Sequence, residues 1–182
     1  LVMKLGYSSW LTFPLGGLIA AAIALMIGYP SLKLKGVSFA IVTLALGIII
    51  RQIILATPGT TGGGPGIYRV PQPDPIHILG FTVEFVHKAP FYYFMLLLFA
   101  ITLLVMYRME HSRLGSIFRA IRESDTLAES LGINILKYKV IAFVTAGFFA
   151  GLVGSYSAHY YQFTHPEFYG MWQSIFYVAY AI

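Results

Sequence analysis

Of the 182 residues in this chain, 58% are hydrophobic and only 10% are charged, and the mean hydropathy is +0.75. Because a water-soluble domain carries roughly 25% charged residues, this composition excludes an ordinary soluble domain and indicates an integral membrane protein. There is no cysteine, which excludes disulfides, thiolate catalysis and Cys-ligated zinc, and the net charge of +5 fits basic cytoplasmic loops better than a nucleic-acid site.

Four long apolar segments are predicted to be membrane-spanning helices. Segments of about 18 or more apolar residues are long enough to cross a bilayer. Pro14 is expected in the first turn of the first span, where proline costs little. The predicted spans are Leu11–Gly28, Val37–Ala56, Phe91–Tyr107 and Val140–Tyr161, and a fifth begins near Trp172. The fold class is therefore an all-α polytopic helical bundle.

The two ends of the sequence suggest a longer protein. The chain starts at Leu1 without a methionine, and it stops at Ile182 inside an apolar run. We expect residues 1–182 to be an internal piece of a larger protein, forming a single transmembrane domain.

The connecting segments differ in positive charge, and this sets the predicted orientation. The loop after the first span holds Lys33 and Lys35, whereas the segment of about 57–90 has only Arg69 and Lys88. Basic loops face the cytoplasm, so the segment 57–90 is expected outside and the loop 108–139 inside. That inner loop carries Arg108, Arg113, Arg119, Arg122, Lys137 and Lys139.

The outer segment is rich in glycine and proline over Gly59–Pro75, GTTGGGPGIYRVPQPDP, and this excludes a long helix or a core strand. It lacks both the Gly-Lys-Ser/Thr and the GxGxxG of nucleotide-binding loops. It is either a flexible loop or a backbone-lined mouth for a substrate, with Thr61, Gly62 and Gly63 as candidates. Phe81–His87 alternates apolar and polar residues and predicts a short strand, half of a hairpin.

The histidines do not form a metal motif. His77, His87, His159 and His165 fall near the predicted outer side and His111 stands alone, without the spacing of a helical zinc site. Interfacial or structural roles are expected, and no metal or cofactor is assigned to this chain.

Two polar residues within the second span are candidates for a translocation path. Charged side chains inside spans are costly and often functional, which draws attention to Arg51. Its position near the outer end of the helix also allows the side chain to snorkel to the interface. Thr43 is a milder candidate, with interhelical hydrogen bonding as the alternative.

The fourth span contains glycines that suit helix packing. Gly147 and Gly151 form a GxxxG motif, and Gly154 lies close by. Small residues at this spacing allow close approach of another helix in a membrane. The motif is common in membrane bundles and indicates no specific function.

The densest charge cluster lies in GSIFRAIRESDTLAESLGIN, Gly115–Asn134. Thr126 and Glu129 fit a capping box that would start a second short helix, with Ser124 and Asp125 as alternative caps. Gly132 suits a helix stop. An apolar face is predicted from Ile117, Ala120, Ile121, Ser124, Ala128 and Leu131, and the charged face from Arg119, Arg122, Glu123, Asp125 and Glu129.

This predicted helix, break and short helix could be a connector on the membrane surface or a docking element. Membrane-surface helices are normally rich in Lys and Arg on their polar face, whereas here both signs are mixed. A short element of mixed charge suits a groove on a protein partner. Periodicity alone leaves both interpretations open.

The ordered set of motifs resembles the permeases of branched-chain amino acid ABC transporters, in particular the second of the two permease subunits, related to high-affinity leucine uptake. The resemblance covers about Tyr7 to the end. The matching stretches are YPSLKLKGVSFAIVTLALGIIIR, TGGGPGI, RAIRESDTLAESLGIN and KYKVIAFVTAGFFAGLVGSYSAHY. The family commonly has GEIIR where this chain has GIIIR, so Ile48 replaces a glutamate that could pair with Arg51.

The resemblance implies partners and a role for the charged loop. Such permeases form a membrane dimer, usually with a second homologous permease subunit. Two cytoplasmic ATPase subunits supply energy, and an extracytoplasmic binding protein delivers the substrate. An "EAA"-like segment docks into the ATPase. The matching positions here are Ala128, Glu129 and Gly132, with Arg119, Arg122 and Glu123 on the preceding helix.

The prediction is thus an inner-membrane permease subunit that imports branched-chain or hydrophobic amino acids and has no catalytic residues of its own. Urea, short amides and sugars are alternative substrates. A membrane metalloenzyme would need polar groups converging at membrane depth, which the spans lack. An ATP-independent channel or secondary transporter commonly uses ionisable residues near the midplane, which are also missing here.

Overall fold

The computed structural model describes residues 8–34, 36–78, 81–83 and 88–170, together with Phe176 and Tyr180. The helices are α1 Ser9–Ser31, α2 Val37–Ala56, α3 Pro58–Thr61, α4 Lys88–Glu110, α5 Arg113–Glu123, α6 Asp125–Ser130 and α7 Ile135–Tyr161. The short strands are β1 Ile67–Tyr68, β2 Ile76–Ile78, β3 Phe81–Val83 and β4 Phe163–Thr164, and a 3₁₀ helix follows at Pro166–Tyr169. The predicted all-α class is confirmed.

Three helices within these ranges are long and apolar enough to cross a bilayer, namely α1, α4 and α7. Helix α2 has the predicted bounds and is about 30 Å long at 1.5 Å per residue. Its stretch Ile41–Ala56 counts as a shorter apolar helix. The predicted fifth span, from Trp172, lies outside the described residues except for Phe176 and Tyr180.

Helix α1 begins before its predicted start, because Asp74, in the segment between α2 and α4, accepts hydrogen bonds from its first residues. The Asp74 carboxylate accepts from the Ser8 hydroxyl at 2.8 Å and from the Ser9 backbone N–H at 3.2 Å. Pro14 is therefore the sixth residue of the helix, and the prediction that it lies in the first turn is wrong. Helix α7 also begins early, because the Asn134 side chain accepts from the Lys137 N–H.

Helices α1 and α7 pack antiparallel along a seam of small residues. A Cβ on Gly151 would lie 2.5 Å from Ala20 Cβ and 2.5 Å from the Gly16 carbonyl oxygen. A Cβ on Gly147 would lie 2.6 Å from Ala24 Cβ. Close backbone approach of this kind maximises van der Waals contact where lipid offers no hydrophobic driving force.

Helix α4 joins this pair at one end through aromatic side chains. Phe13, Phe91 and Tyr156 are buried there, at 4%, 4% and 8% exposure. The Tyr156 hydroxyl donates to the Phe91 carbonyl oxygen at 2.9 Å, tying α7 to α4. Trp10 and Phe94 complete the cluster with edge-to-face contacts.

The segment between α2 and α4 is folded into defined turns. β1 pairs antiparallel with β4, and β2 pairs antiparallel with β3, which confirms the predicted strand over Phe81–Val83 and its hairpin. The rest of that predicted strand, residues 84–87, lies outside the described residues. Gly66, at φ +80°, lies so close to Thr164 that a Cβ would overlap its carbonyl oxygen.

The antiparallel packing defines two ends of the bundle. Gly28 of α1 lies against Phe143 of α7, and Gly16 lies against Ser155. The loop holding Lys33 and the helices α5 and α6 are therefore at one end, and the glycine-rich segment is at the other. The two basic loops share an end, as the charge pattern predicted.

Candidate functional site

Helix α5 begins shortly after α4 ends, at the basic end of the bundle. Ser112 caps it, because its hydroxyl oxygen accepts from the Leu114 N–H at 3.2 Å. Gly115 is buried so close to Glu110 that any Cβ would overlap the Glu110 backbone. The serine cap and the missing side chain together allow α5 to fold directly back against the end of the span.

The helical backbone is interrupted at Ser124, between α5 and α6. This residue is extended, with φ −161° and ψ 117°, and its hydroxyl oxygen accepts from the Leu127 N–H at 3.3 Å. Ser124 is thus the N-cap, one of the alternatives that the sequence left open. Thr126 lies inside the first turn of α6, so the predicted capping box with Glu129 is wrong. Leu127 occupies the third helical position, where a capping box needs Glu or Gln.

Gly132 ends α6 in a Schellman motif, as the sequence predicted. Its φ is +77°, a conformation that favours glycine because it has no Cβ. The Gly132 N–H donates to the Glu129 carbonyl at 2.9 Å, and the Ile133 N–H donates to the Ala128 carbonyl at 3.1 Å. These two bonds define the motif, and they fix the direction of the turn towards α7.

The predicted apolar face of this two-helix unit is only partly buried. Ile121 and Ala128 are buried, at 8% and 1% exposure, but Leu131 is 77% exposed. The apolar face is therefore divided between buried and exposed residues. Leu127, one turn before Leu131, is 67% exposed. We call Leu127 and Leu131 the exposed leucine pair.

The two-helix unit that carries the exposed leucine pair also carries exposed charged side chains. Arg119, Arg122, Glu123 and Glu129 are all exposed. Arg122 and Glu123 are 3.8 Å apart with side chains 79% and 78% exposed, a geometry that contributes little to stability. Arg119 donates to the Glu110 backbone carbonyl at 3.3 Å. These charges are available to a partner.

A second ion pair joins α6 to α7, and no sequence pattern indicates it. The Lys139 ammonium donates to both carboxylate oxygens of Asp125, at 3.1 and 2.9 Å. The two side chains are 34% and 31% exposed. Fourteen residues separate the two partners, so only the turn at Gly132 brings them together.

A cavity of about 390 Å³ lies between α4, α5 and α7 at the same end. Its lining combines apolar side chains with two of the candidate arginines: Met106, Met109, Phe118, Ala142, Arg119 and Arg122. The candidate site therefore consists of exposed leucines and charged side chains, together with a cavity between α5 and the spans α4 and α7.

The path candidates all lie on α2 or at its outer end. The Thr43 hydroxyl donates to the Phe39 carbonyl at 3.0 Å, and the Thr61 hydroxyl lies 2.6 Å from the Ile54 carbonyl oxygen. Arg51 is partly exposed and has no ion pair with any carboxylate in the described ranges. Ile48, three residues before Arg51, is 55% exposed.

The glycines at the outer end of α2 are held in a turn. Gly62 and Gly63 have φ of +77° and +57° and follow the one-turn helix α3 directly. Gly63 is buried, and its N–H lies 3.4 Å from the Thr61 hydroxyl oxygen. The structure gives these residues a defined turn, and it brings them together without Thr43, which lies earlier on α2.

The packing glycines divide between two faces of α7. Gly147 and Gly151 lie on the seam with α1. Gly154 lies elsewhere, where a Cβ would meet no described atom within 4 Å. Position 154 is three residues from 151, which turns it away from the seam, whereas the four-residue spacing 147, 151 and 155 follows the seam.

His159, for which an interfacial or structural role was expected, is a buried structural residue. It is 4% exposed, its Nδ1 lies 2.7 Å from the Pro71 carbonyl oxygen, and its Nε2 lies 3.0 Å from the Thr12 hydroxyl. Because a carbonyl only accepts, Nδ1 carries a proton in this bond. No local pattern could signal this, since the partners are 88 and 147 residues away.

Residues 1–182 match the family described as the branched-chain amino acid transport system permease component. The chain belongs to this family. Two relatives have the same name, high-affinity branched-chain amino acid transport system permease protein LivM, from Salmonella typhimurium strain LT2 and from Escherichia coli strain K12. Each is 31% identical to this permease chain over 192 residues.

The alignment covers 96% of the permease chain and 45% of each relative. The chain thus spans about half the length of the curated relatives it matches. No solved structure matches it significantly.

Proposed function

We propose that this chain is part of a permease subunit that imports branched-chain or other hydrophobic amino acids through the cytoplasmic membrane. Energy comes from ATP hydrolysis on separate ATPase subunits, which dock on α5 and α6. A second permease subunit and an extracytoplasmic binding protein complete the transporter. Family membership over the whole chain supports the substrate class, since both relatives are named for branched-chain amino acid transport.

The observation that carries the docking proposal is the exposed leucine pair. Leu127 lies on α6 and Leu131 is the C-cap residue of that helix, four residues later, at the end of the bundle that carries the basic loops. Under the positive-inside rule that end faces the cytoplasm, where an exposed apolar pair is costly unless a protein or the membrane covers it.

The surroundings of the leucines favour a protein groove over the membrane surface. Glu123 ends α5 and Glu129 lies between the two leucines in sequence, both exposed, and an anionic cytoplasmic leaflet repels carboxylates. The arginines Arg119 and Arg122 offer complementary charge to an acidic rim. Buried apolar anchors within a charged rim are typical of protein interfaces.

Cross-linking tests the docking. Position 131 is a better place for the cross-linking cysteine than position 124, because the Ser124 hydroxyl caps α6 and its loss would disturb the helix. We expect Leu131→Cys, in the full-length permease with any other cysteine replaced, to form an adduct with an ATPase subunit in native membranes. Addition of ATP is expected to change the adduct yield. The measurement is mass spectrometry after treatment with a short thiol/amine cross-linker.

Lys33→Cys is the matched control, because Lys33 is exposed at the same end but outside α5 and α6. It should give little ATPase adduct. An accessible thiol at position 131 that captures no ATPase, or equal capture at both positions, would contradict the docking.

The substrate class is tested separately with the reconstituted transporter. Uptake of labelled leucine, isoleucine and valine should depend on ATP and on the binding protein. ATP-driven uptake of urea, a short amide or a sugar in their place would show that the substrate assignment is wrong. Uptake without ATP would indicate a secondary transporter.

A further inference from the structure

The short helix α6 is attached to α7 at both of its ends. At its C-terminal end the Gly132 turn leads directly into the Asn134 cap of α7. At its N-terminal end Asp125, the first residue of α6, is bound by Lys139, the fifth residue of α7. The six residues of α6 span about 9 Å, at 1.5 Å per residue, so these two attachments lie close to opposite ends of the helix.

Two attachment points have a mechanical consequence that one does not. A helix held only by a turn can pivot about it, because the φ and ψ angles of a few residues absorb the rotation. A second link at the far end closes a triangle of α6, the turn and the first turns of α7. Within that triangle a displacement of α6 acts on α7 at two points.

The quality of the Asp125–Lys139 contact fits this role. Both carboxylate oxygens accept from the ammonium, and about two thirds of each side chain is shielded from solvent. In contrast, Arg122 and Glu123 are sequence neighbours with almost fully exposed side chains, and their ion pair links no two elements.

Helix α7 can pass the displacement on through the bundle. Its Gly147 and Gly151 are in tight contact with Ala24 and Ala20 of α1. Helices packed this closely cannot slide past each other without first separating. The path from Asp125 to the outer end is therefore continuous.

We propose that Asp125 and Lys139 are positioning residues for energy coupling: their ion pair fixes the angle between α6 and α7, so that movement of a docked ATPase is transmitted to the spans. This rests on the proposed docking of α6. The ion pair neither binds the ATPase nor contacts the substrate. Its effect is on how efficiently ATP hydrolysis drives transport.

The test uses the full-length permease, assembled with its ATPase and binding protein in proteoliposomes. Asp125→Asn and Lys139→Gln each remove one charge with little change of volume. We expect amino acid transported per ATP hydrolysed to fall at least about fivefold, the lower end of typical coupling between two sites. When Leu131→Cys is combined with either substitution, it should capture as much ATPase as it does with Asp125 and Lys139 intact.

The exchanged pair, Asp125→Lys with Lys139→Asp, should recover a substantial part of the transport per ATP. Lys137→Gln is the matched control, because it removes the same charge from an exposed site two residues away. It should leave the ratio unchanged. Recovery by exchange is the result that a merely destabilising substitution would not give.

The outcomes separate the two proposals. Normal transport per ATP in both single variants, with ATPase capture intact, overturns the positioning role and leaves docking in place. An exchanged pair that assembles in the membrane but transports no better than Asp125→Asn also overturns it. If Leu131→Cys captures no ATPase even with the ion pair intact, the docking proposal fails first.

Discussion

His159 shows how one buried polar residue fixes the outer side of the permease. Through Pro71 and Thr12 it joins the loop between β1 and β2 to the beginning of α1. Its ring also packs on Phe13, with centroids 5.1 Å apart. Replacing the ring nitrogens by carbon would keep much of this packing but remove the hydrogen bonds.

We therefore expect His159→Phe to lower the stability of the full-length permease by about 1–3 kcal/mol, the cost of leaving a buried polar group without a partner. The Val70 amide donates to the Gln162 carbonyl at 3.1 Å and reports on the same loop. Its hydrogen exchange should become faster. The measurements are thermal unfolding in detergent and exchange mass spectrometry.

His111→Phe is the control for this change, because His111 is exposed. It should leave both measurements near the wild-type values. Equal effects at the two histidines would show that the bonds of His159 do not hold the loop.

At the scale of elements, the seam between α1 and α7 depends on positions four residues apart on both helices. Gly16, Ala20, Ala24 and Gly28 on α1 face Ser155, Gly151, Gly147 and Phe143 on α7 in antiparallel order. The sequence motif identified only the α7 half. The regular four-residue spacing of small residues on α1 was the signal that could have identified the other half.

Gly151→Val should separate the two helices, because even its Cβ would lie 2.5 Å from Ala20 Cβ. Overpacking of this kind costs about 1–3 kcal/mol. We expect a lower melting temperature of the full-length permease in detergent. Gly154→Val is the matched control, with the same change of helix propensity but no described neighbour within 4 Å of its Cβ. Similar melting temperatures for both variants would contradict the seam.

At the scale of the whole molecule, the two ends of the bundle are expected on opposite sides of the membrane. Single cysteines at Lys33 and Leu131 lie at the basic end, and one at Tyr68, which is 58% exposed, lies at the other. In right-side-out vesicles, an impermeant maleimide should label position 68 alone. Positions 33 and 131 should react only after permeabilisation. Labelling of 131 in intact vesicles would place α6 outside and remove the basis for ATPase docking.

The helices of the permease and the difference in charge between the two ends of the bundle follow from local properties of the sequence. Apolar length is enough to predict Val37–Ala56 to the residue, because a bilayer sets how long a span must be. Gly132 is predictable as a stop, since a positive φ favours glycine. Boundaries that depend on distant partners were missed: Asp74 starts α1 early, and it lies 65 residues from Ser9.

The sequence alone determined that this is an all-α membrane permease with a charged two-helix loop at its basic end. Only the tertiary structure decided which side of that loop is exposed, because packing in the bundle buries Ala128 and leaves Leu131 exposed, although both are apolar. It also decided that Asp125 meets Lys139 and that His159 meets Pro71 and Thr12. Such contacts join residues far apart in the chain, and they exist only once turns and helix packing have brought the backbones together.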